Sequence, residues 1–128
     1  MGLSKVNTIA QWSPGGSSAS ISASGNRTSD TFSFSGSVFQ ATIQLQASNT
    51  GTPAAGHTFD FWMQGTNLDN YATGEQGAHL YTLDTNDNNP AFGTPVSFPI
   101  PAEGGRVYVV SNGGAASIGA SIMEQRLV

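Results

Sequence analysis

Arg106-Val107-Tyr108-Val109-Val110-Ser111, then Asn112-Gly113-Gly114, then Ala116 to Met123, is the stretch whose reading decides the fold. Its second arm sets Ile118, Ala120 and Ile122 in alternation with Ser117, Gly119 and Ser121. A period of two marks a strand with one face buried and the other polar. Asn112-Gly113 supplies the positive φ angles that a tight reversal demands. The stretch is therefore expected to form a β-hairpin, and the chain to be built from antiparallel strands.

Working outward, the same alternation recurs. Ala41, Ile43, Leu45 and Ala47 alternate with Thr42, Gln44 and Gln46, and Phe59, Phe61 and Met63 with Asp60, Trp62 and Gln64. Val6, Thr8, Ala10 and Trp12 share a parity, as do Ala19, Ile21 and Ala23. Phe32 and Phe34 start another strand, whose parity flips to Phe39 and Ala41 after Gly36, as at a bulge. Leu80 to Leu83 and Val96 to Ile100 complete the set, the latter an edge strand because Pro95, Pro99 and Pro101 cannot donate to a ladder. Gly or Pro interrupts most windows long enough for a helix. Eight or nine short strands predict an all-β antiparallel β-sandwich, jelly-roll-like, with an Ig-like sandwich as the alternative. The expected core is Phe32, Phe34, Ile43, Leu45, Phe59, Phe61, Phe98, Val107, Val109, Ile118 and Ile122.

The 128 residues suit one domain, 1–128, in which 13–29, rich in Ser and Gly, reads as a flexible loop or arm. Asn49 to Gly56 and Asn67 to Gly77 read as loops. Charged residues are 9% of the chain, against about 25% in globular proteins. Lys5, Arg27, Arg106 and Arg126 are scattered in a chain of net charge −4, which argues against nucleic acid and against anionic membrane as partners. There is no cysteine, hence no thiolate chemistry. Met1 to Val6 holds no apolar run of signal-peptide length, and Val6 stands where a myristoylation motif wants Ser or Thr. The expectation is synthesis in a cytoplasm.

Chemistry is sparse. Asp84, Asn86 and Asn88 occupy the first three ligand positions of an EF-hand loop, but Asn89 replaces the turn glycine and Pro95 the bidentate Glu. An Asx-rich turn is the preferred reading, and no metal or other cofactor is expected. His57 and His79 are too few and too far apart for a three-His zinc site. No Gly-x-Ser-x-Gly elbow or phosphate loop occurs. Asp60, Asp69, Glu75, Asp84 and Glu103 offer no preferred carboxylate pair. The chain is expected not to be an enzyme. Trp62 is the residue of interest, sharing a polar strand face with Asp60 and Gln64. It is an interface anchor, a sugar-stacking residue, or simply covered by the second layer. Tyr71 and Tyr81 are further candidates for contact with a ligand or neighbour.

Three segments carry a resemblance: Phe59 to Asn67, Gly104 to Asn112, and Ala116 to Val128. Together they resemble small β-sandwich virion proteins of tailed bacteriophages, of the head cement or decoration kind. The resemblance implies a structural protein that binds and stabilises a capsid shell, with the major capsid protein or another virion protein as partner. It implies a homo-oligomer, commonly a trimer, located in the virion after synthesis in the host cytoplasm. The alternative is a carbohydrate-binding or receptor-binding module of tail-fibre or tip type, with Trp62, Tyr71 or Tyr81 as stacking platforms.

Overall fold

Alternation becomes pairing in the computed structural model, which describes residues 3–12, 16–33, 38–50, 57–65, 78–85, 91–93, 96–99 and 104–127. The strands are β1 (Leu3–Ile9), β2 (Ala19–Ile21), β3 (Asn26–Thr28), β4 (Phe32–Ser33), β5 (Val38–Asn49) and β6 (Thr58–Gly65), then β7 (Ala78–Asp84), β8 (Ala91–Phe92), β9 (Val96–Pro99), β10 (Gly104–Asn112) and β11 (Ala116–Leu127). The first sheet runs β1-β11-β5-β8, with β2 also on β11 and β9 also on β5. The second runs β3-β10-β6-β7, with β4 also on β10. Every pairing is antiparallel.

The pairs are nested. β6 meets β7, β5 meets β8 and β9, β10 meets β3 and β4, and β11 meets β2. That is one long antiparallel ribbon rolled so that its segments fall alternately in two sheets, a jelly roll. Three of its outer strands are broken in two: β1 with β2 along β11, β3 with β4 along β10, and β8 with β9 along β5. Eight strand positions therefore account for the eleven segments among the described residues. Among the described residues β9 pairs only with β5, so the proline-flanked segment is an edge strand.

The expected hairpin is not one. β10 pairs with β6 in the second sheet, and β11 with β5 and β1 in the first. Asn112 to Ala115 is thus a corner between sheets. A hairpin and a corner both need a reversal, and Gly113 provides it at φ +118°. They also share the alternation, because in a corner the two apolar faces meet across the core rather than side by side. His57 closes this corner: a Cβ on Gly114 would stand 3.0 Å from its Nδ1.

Between the sheets lie Ile43, Leu45, Phe59, Phe61, Val107, Val109, Ile118 and Ile122, all buried as their parity requires. Full burial of each large apolar side chain contributes about 1.5–3 kcal/mol. Phe32 is only partly buried against them. Phe34 and the side chain of Phe98 fall outside the described residues. Trp12 is wholly buried just after β1, where its backbone N–H donates to the Gly16 carbonyl at 2.6 Å. The parity flip near Phe39 coincides with a register shift between β5 and β11, where Gln40 faces Gln125 and Val38 faces Arg126.

Residues 16–29, expected as a loop or arm, instead hold β2 and β3. Arg27 Nη1 donates to the Ser20 carbonyl at 3.0 Å, tying an edge of one sheet to an edge of the other. Ser29 is buried, its Oγ accepting from the Val107 N–H at 2.8 Å. Small polar residues read as loop because their own side chains offer no core; here their backbone and hydroxyls are the tether. Glu124 also faces inward, buried and paired with Arg126 at 2.6 Å.

Candidate functional site

Both sheets turn a second face outward, and the register fixes what each presents. On the second sheet Thr28, Tyr108, Trp62 and His79 stand in one row across β3, β10, β6 and β7. Asn26, Val110, Asp60 and Thr82 form the next row, and Asn112, Thr58 and Asp84 a third. Neighbouring strands lie about 4.8 Å apart, so these side chains touch. Trp62 meets His79 edge-on, with centroids 5.3 Å apart and planes at 73°. Tyr108 lies on its other side at 6.0 Å and 45°. The His79 position owes its register to a shift between Phe61 and Trp62, which leaves Leu80 as an extra residue on β7.

Asp60 is the hub of the polar rows. Its Oδ2 accepts from Asn112 Nδ2 at 2.8 Å, and its Oδ1 accepts from the Thr82 hydroxyl. His79 Nε2 lies 3.3 Å from the same Oδ1. Asn112 Nδ2 also donates to Thr58 Oγ1 at 2.9 Å. Partial burial pushes the Asp60 carboxyl up, but the hydrogen bonds from Thr82, Asn112 and His79, with the His79 charge, outweigh it. The group sits below its ordinary value of 3.8. It is an anion held in place.

The remaining candidates separate. Gln64 is not a surface group: it is buried, and its Oε1 accepts from Arg106 Nε at 2.6 Å. Tyr81 is no open stacking platform either, since it packs against the core beside Gly93. It shares the inward parity of Leu83 and faces Phe61 across the ladder. Tyr71, Asn86 and Asn88 lie outside the described residues, while Asp84 is exposed at the end of β7. Next to it, Thr85 is fully buried, exchanging hydrogen bonds with Asn49 and donating to the His57 carbonyl. Among the described residues, no group of three or more His, Asp or Glu side chains is placed to hold a metal ion. His79, Tyr108, Thr82, Thr58 and Asn112 enter the site only through strand register. Tyr108 had the signal, a polar-face aromatic beside Val107 and Val109, but not its partner.

The first sheet's outer face differs. Ser117 pairs with Ser48, Gly119 with Gln46, Ser121 with Gln44, and Met123 with Thr42. Beyond them on β1 stand Ile9, Asn7 and Lys5. Lys5 is the one ionised side chain in these rows. Where β1 stops short of β2, a groove of about 240 Å³ opens between Ile9, Ser17, Gln44, Gln46, Ala120 and Ser121. Ile9 at its rim is 48% exposed, the one large exposed hydrophobic among the described residues.

No protein-family profile matches the chain, and no curated protein does. Similar solved structures include dimeric latent PorU from Porphyromonas gingivalis, with a TM-score of 0.55 and 12% identity over 98% of this chain. This chain covers only 13% of that one. They also include the C-terminal CBM6 of LamC, a marine laminarinase from Zobellia galactanivorans, at 0.49 and 13%, covering 96% of this chain and 99% of that one. The capsid of Helicobacter pylori bacteriophage KHP30 scores 0.48 at 12%, covering 98% and 99%. The likeness to PorU shows a shared fold, and the role of this chain has to be sought in its two outer faces.

Proposed function

We propose that this chain is a non-catalytic structural protein of a phage particle, a cement protein that binds the capsid shell as a homo-oligomer, a trimer. The observation that carries the reading is the outer face of the first sheet. Its rows of Ser, Gln and Thr hold a single charge, Lys5, in a chain of net charge −4. Interface cores are depleted of charge, because an ion removed from water there must find a partner. Amides and hydroxyls pair instead with whatever donor or acceptor a neighbour presents. Ile9 on the edge strand and the groove beside it, which reaches inward to Gln44 and Gln46, add apolar area to that face. Many such modest contacts, repeated around a shell, hold through multivalency. The jelly roll is an architecture of viral capsid and lectin domains, and the sequence resemblance points to the first.

The test is light scattering for the oligomer and co-sedimentation with shells that lack the protein. A trimer that pellets with shells is expected, with binding lost in Ser121→Arg. A monomer that leaves shells unbound would overturn the reading. A second reading, a carbohydrate-binding or receptor-binding module, is favoured by the Tyr108–Trp62–His79 row on the other face.

A further inference from the structure

The outer face of the second sheet combines three properties that together restrict a ligand. Trp62 is half-buried and held between His79 and Tyr108, so it presents a large apolar surface with little rotor freedom left to lose on binding. In the next two rows Asp60 and Asn112 offer oxygen acceptors, with the Thr82 and Thr58 hydroxyls beside them. Each polar group is already oriented by another, so the array is set before a ligand arrives. The charge on the face is the third property. Asp60 and Asp84 are anionic, and Arg106 on the same face is bonded to Gln64.

These properties exclude as much as they admit. A nucleic acid would also stack on Trp62, but its phosphates need free cations beside the aromatic. Sialylated or sulfated sugars meet the same two carboxylates. A cationic ligand would suit an aromatic beside an acid, but His79 already stands against the Asp60 charge, 3.3 Å from Oδ1, while Oδ2, which accepts from Asn112, keeps a lone pair for a hydroxyl. What remains is an uncharged ligand with an apolar C–H face and several hydroxyl donors.

We propose that this face binds a neutral glycan, a pyranose ring lying on Trp62 and its hydroxyls donating to Asp60 and to the Asn112 side-chain oxygen. The inference rests on the second reading above and names its ligand class. It leaves the first sheet free for the particle, so one chain attaches by one face and displays the other.

The full chain is tested against an array of neutral gluco-, galacto- and manno-oligosaccharides, with sialylated and sulfated glycans and choline as further probes. Positive neutral probes are followed by tryptophan fluorescence. The chain has two tryptophans, and Trp12 is wholly buried, so protection from iodide quenching reports on Trp62. The expected result is binding of neutral glycans, protection of Trp62, and a loss of roughly tenfold or more in affinity in Trp62→Ala. Asn112→Ala, which keeps the aromatic row, should also weaken binding while the unfolding transition stays cooperative. Binding only of acidic glycans overturns the ligand class while leaving the second reading standing. Binding of choline alone, or of no probe, overturns both.

Discussion

The outward rows of the first sheet read Ser117–Ser48, Gly119–Gln46, Ser121–Gln44 and Met123–Thr42; those of the second read Tyr108–Trp62–His79, Val110–Asp60–Thr82 and Asn112–Thr58–Asp84. On the first, polar side chains reach mainly to backbone or across one strand, as Gln44 Nε2 does to the Gly93 carbonyl and Ser121 to Asn7. On the second they are bonded into one network around Asp60. On the two proposals above, the difference is how one fold would support two kinds of recognition. Uncharged groups with loose partners adapt to a neighbouring protein. A pre-bonded network beside an aromatic has one shape and selects a small ligand.

The two faces share a core, and the largest effect comes from damaging both at once. Phe61→Ala should reduce stability by about 3–5 kcal/mol in a denaturant titration, because Phe61 is wholly buried between the sheets. A loss under about 1 kcal/mol would mean that the sheets do not pack as described.

A matched pair of glycine substitutions separates the sheets. In the second, a Cβ on Gly105 would stand 2.6 Å from the backbone oxygen of Gln64, which cannot move without bending β6. Gly105→Ala should therefore cost about 1–3 kcal/mol. In the first, a Cβ on Gly119 would meet the Gln46 side-chain nitrogen at 2.7 Å, the far end of a flexible chain. Gly119→Ala should stay within about 0.5 kcal/mol of the parent. Equal losses in thermal melts would erase this distinction between the sheets.

Ser121→Arg sharpens the comparison in function. A charge in the middle of the first face should leave stability within about 0.5 kcal/mol while abolishing co-sedimentation with shells. Trp62→Ala should leave co-sedimentation intact. The reverse pattern would exchange the roles of the faces.

The smallest effect is confined to acid. The folded-state pKa of Asp60 is lowered, so its contribution to stability is complete above the ordinary value of 3.8 and is lost as pH falls through the lowered one. Asp60→Asn should remove that part of the acid dependence and leave the rest. Urea titrations of both proteins at neutral pH and below 3.8 measure it.

Much of this was legible in the chain. Period-two alternation placed Ile43, Leu45, Phe59, Phe61, Val107, Val109, Ile118 and Ile122 inside, because a pleated strand with one dry face leaves no other arrangement. The same parity set Trp62 and Asp60 on an outward face, and prolines marked β9 as an edge. What the residues alone did not specify was which strand lies beside which. Asn112-Gly113 announces a reversal, yet whether the chain turns back within its sheet or crosses to the other depends on where β5 and β6 already lie. Those are non-local pairings of residues forty or more positions apart. Tertiary register likewise brought Tyr108 to Trp62 and Arg106 to Gln64 along β10, and His79 to Trp62 through a shift of one residue on β7. Alternation is a property of each strand by itself. Neighbourhood belongs to the sheet, and it forms only when the whole ribbon has rolled up around its core.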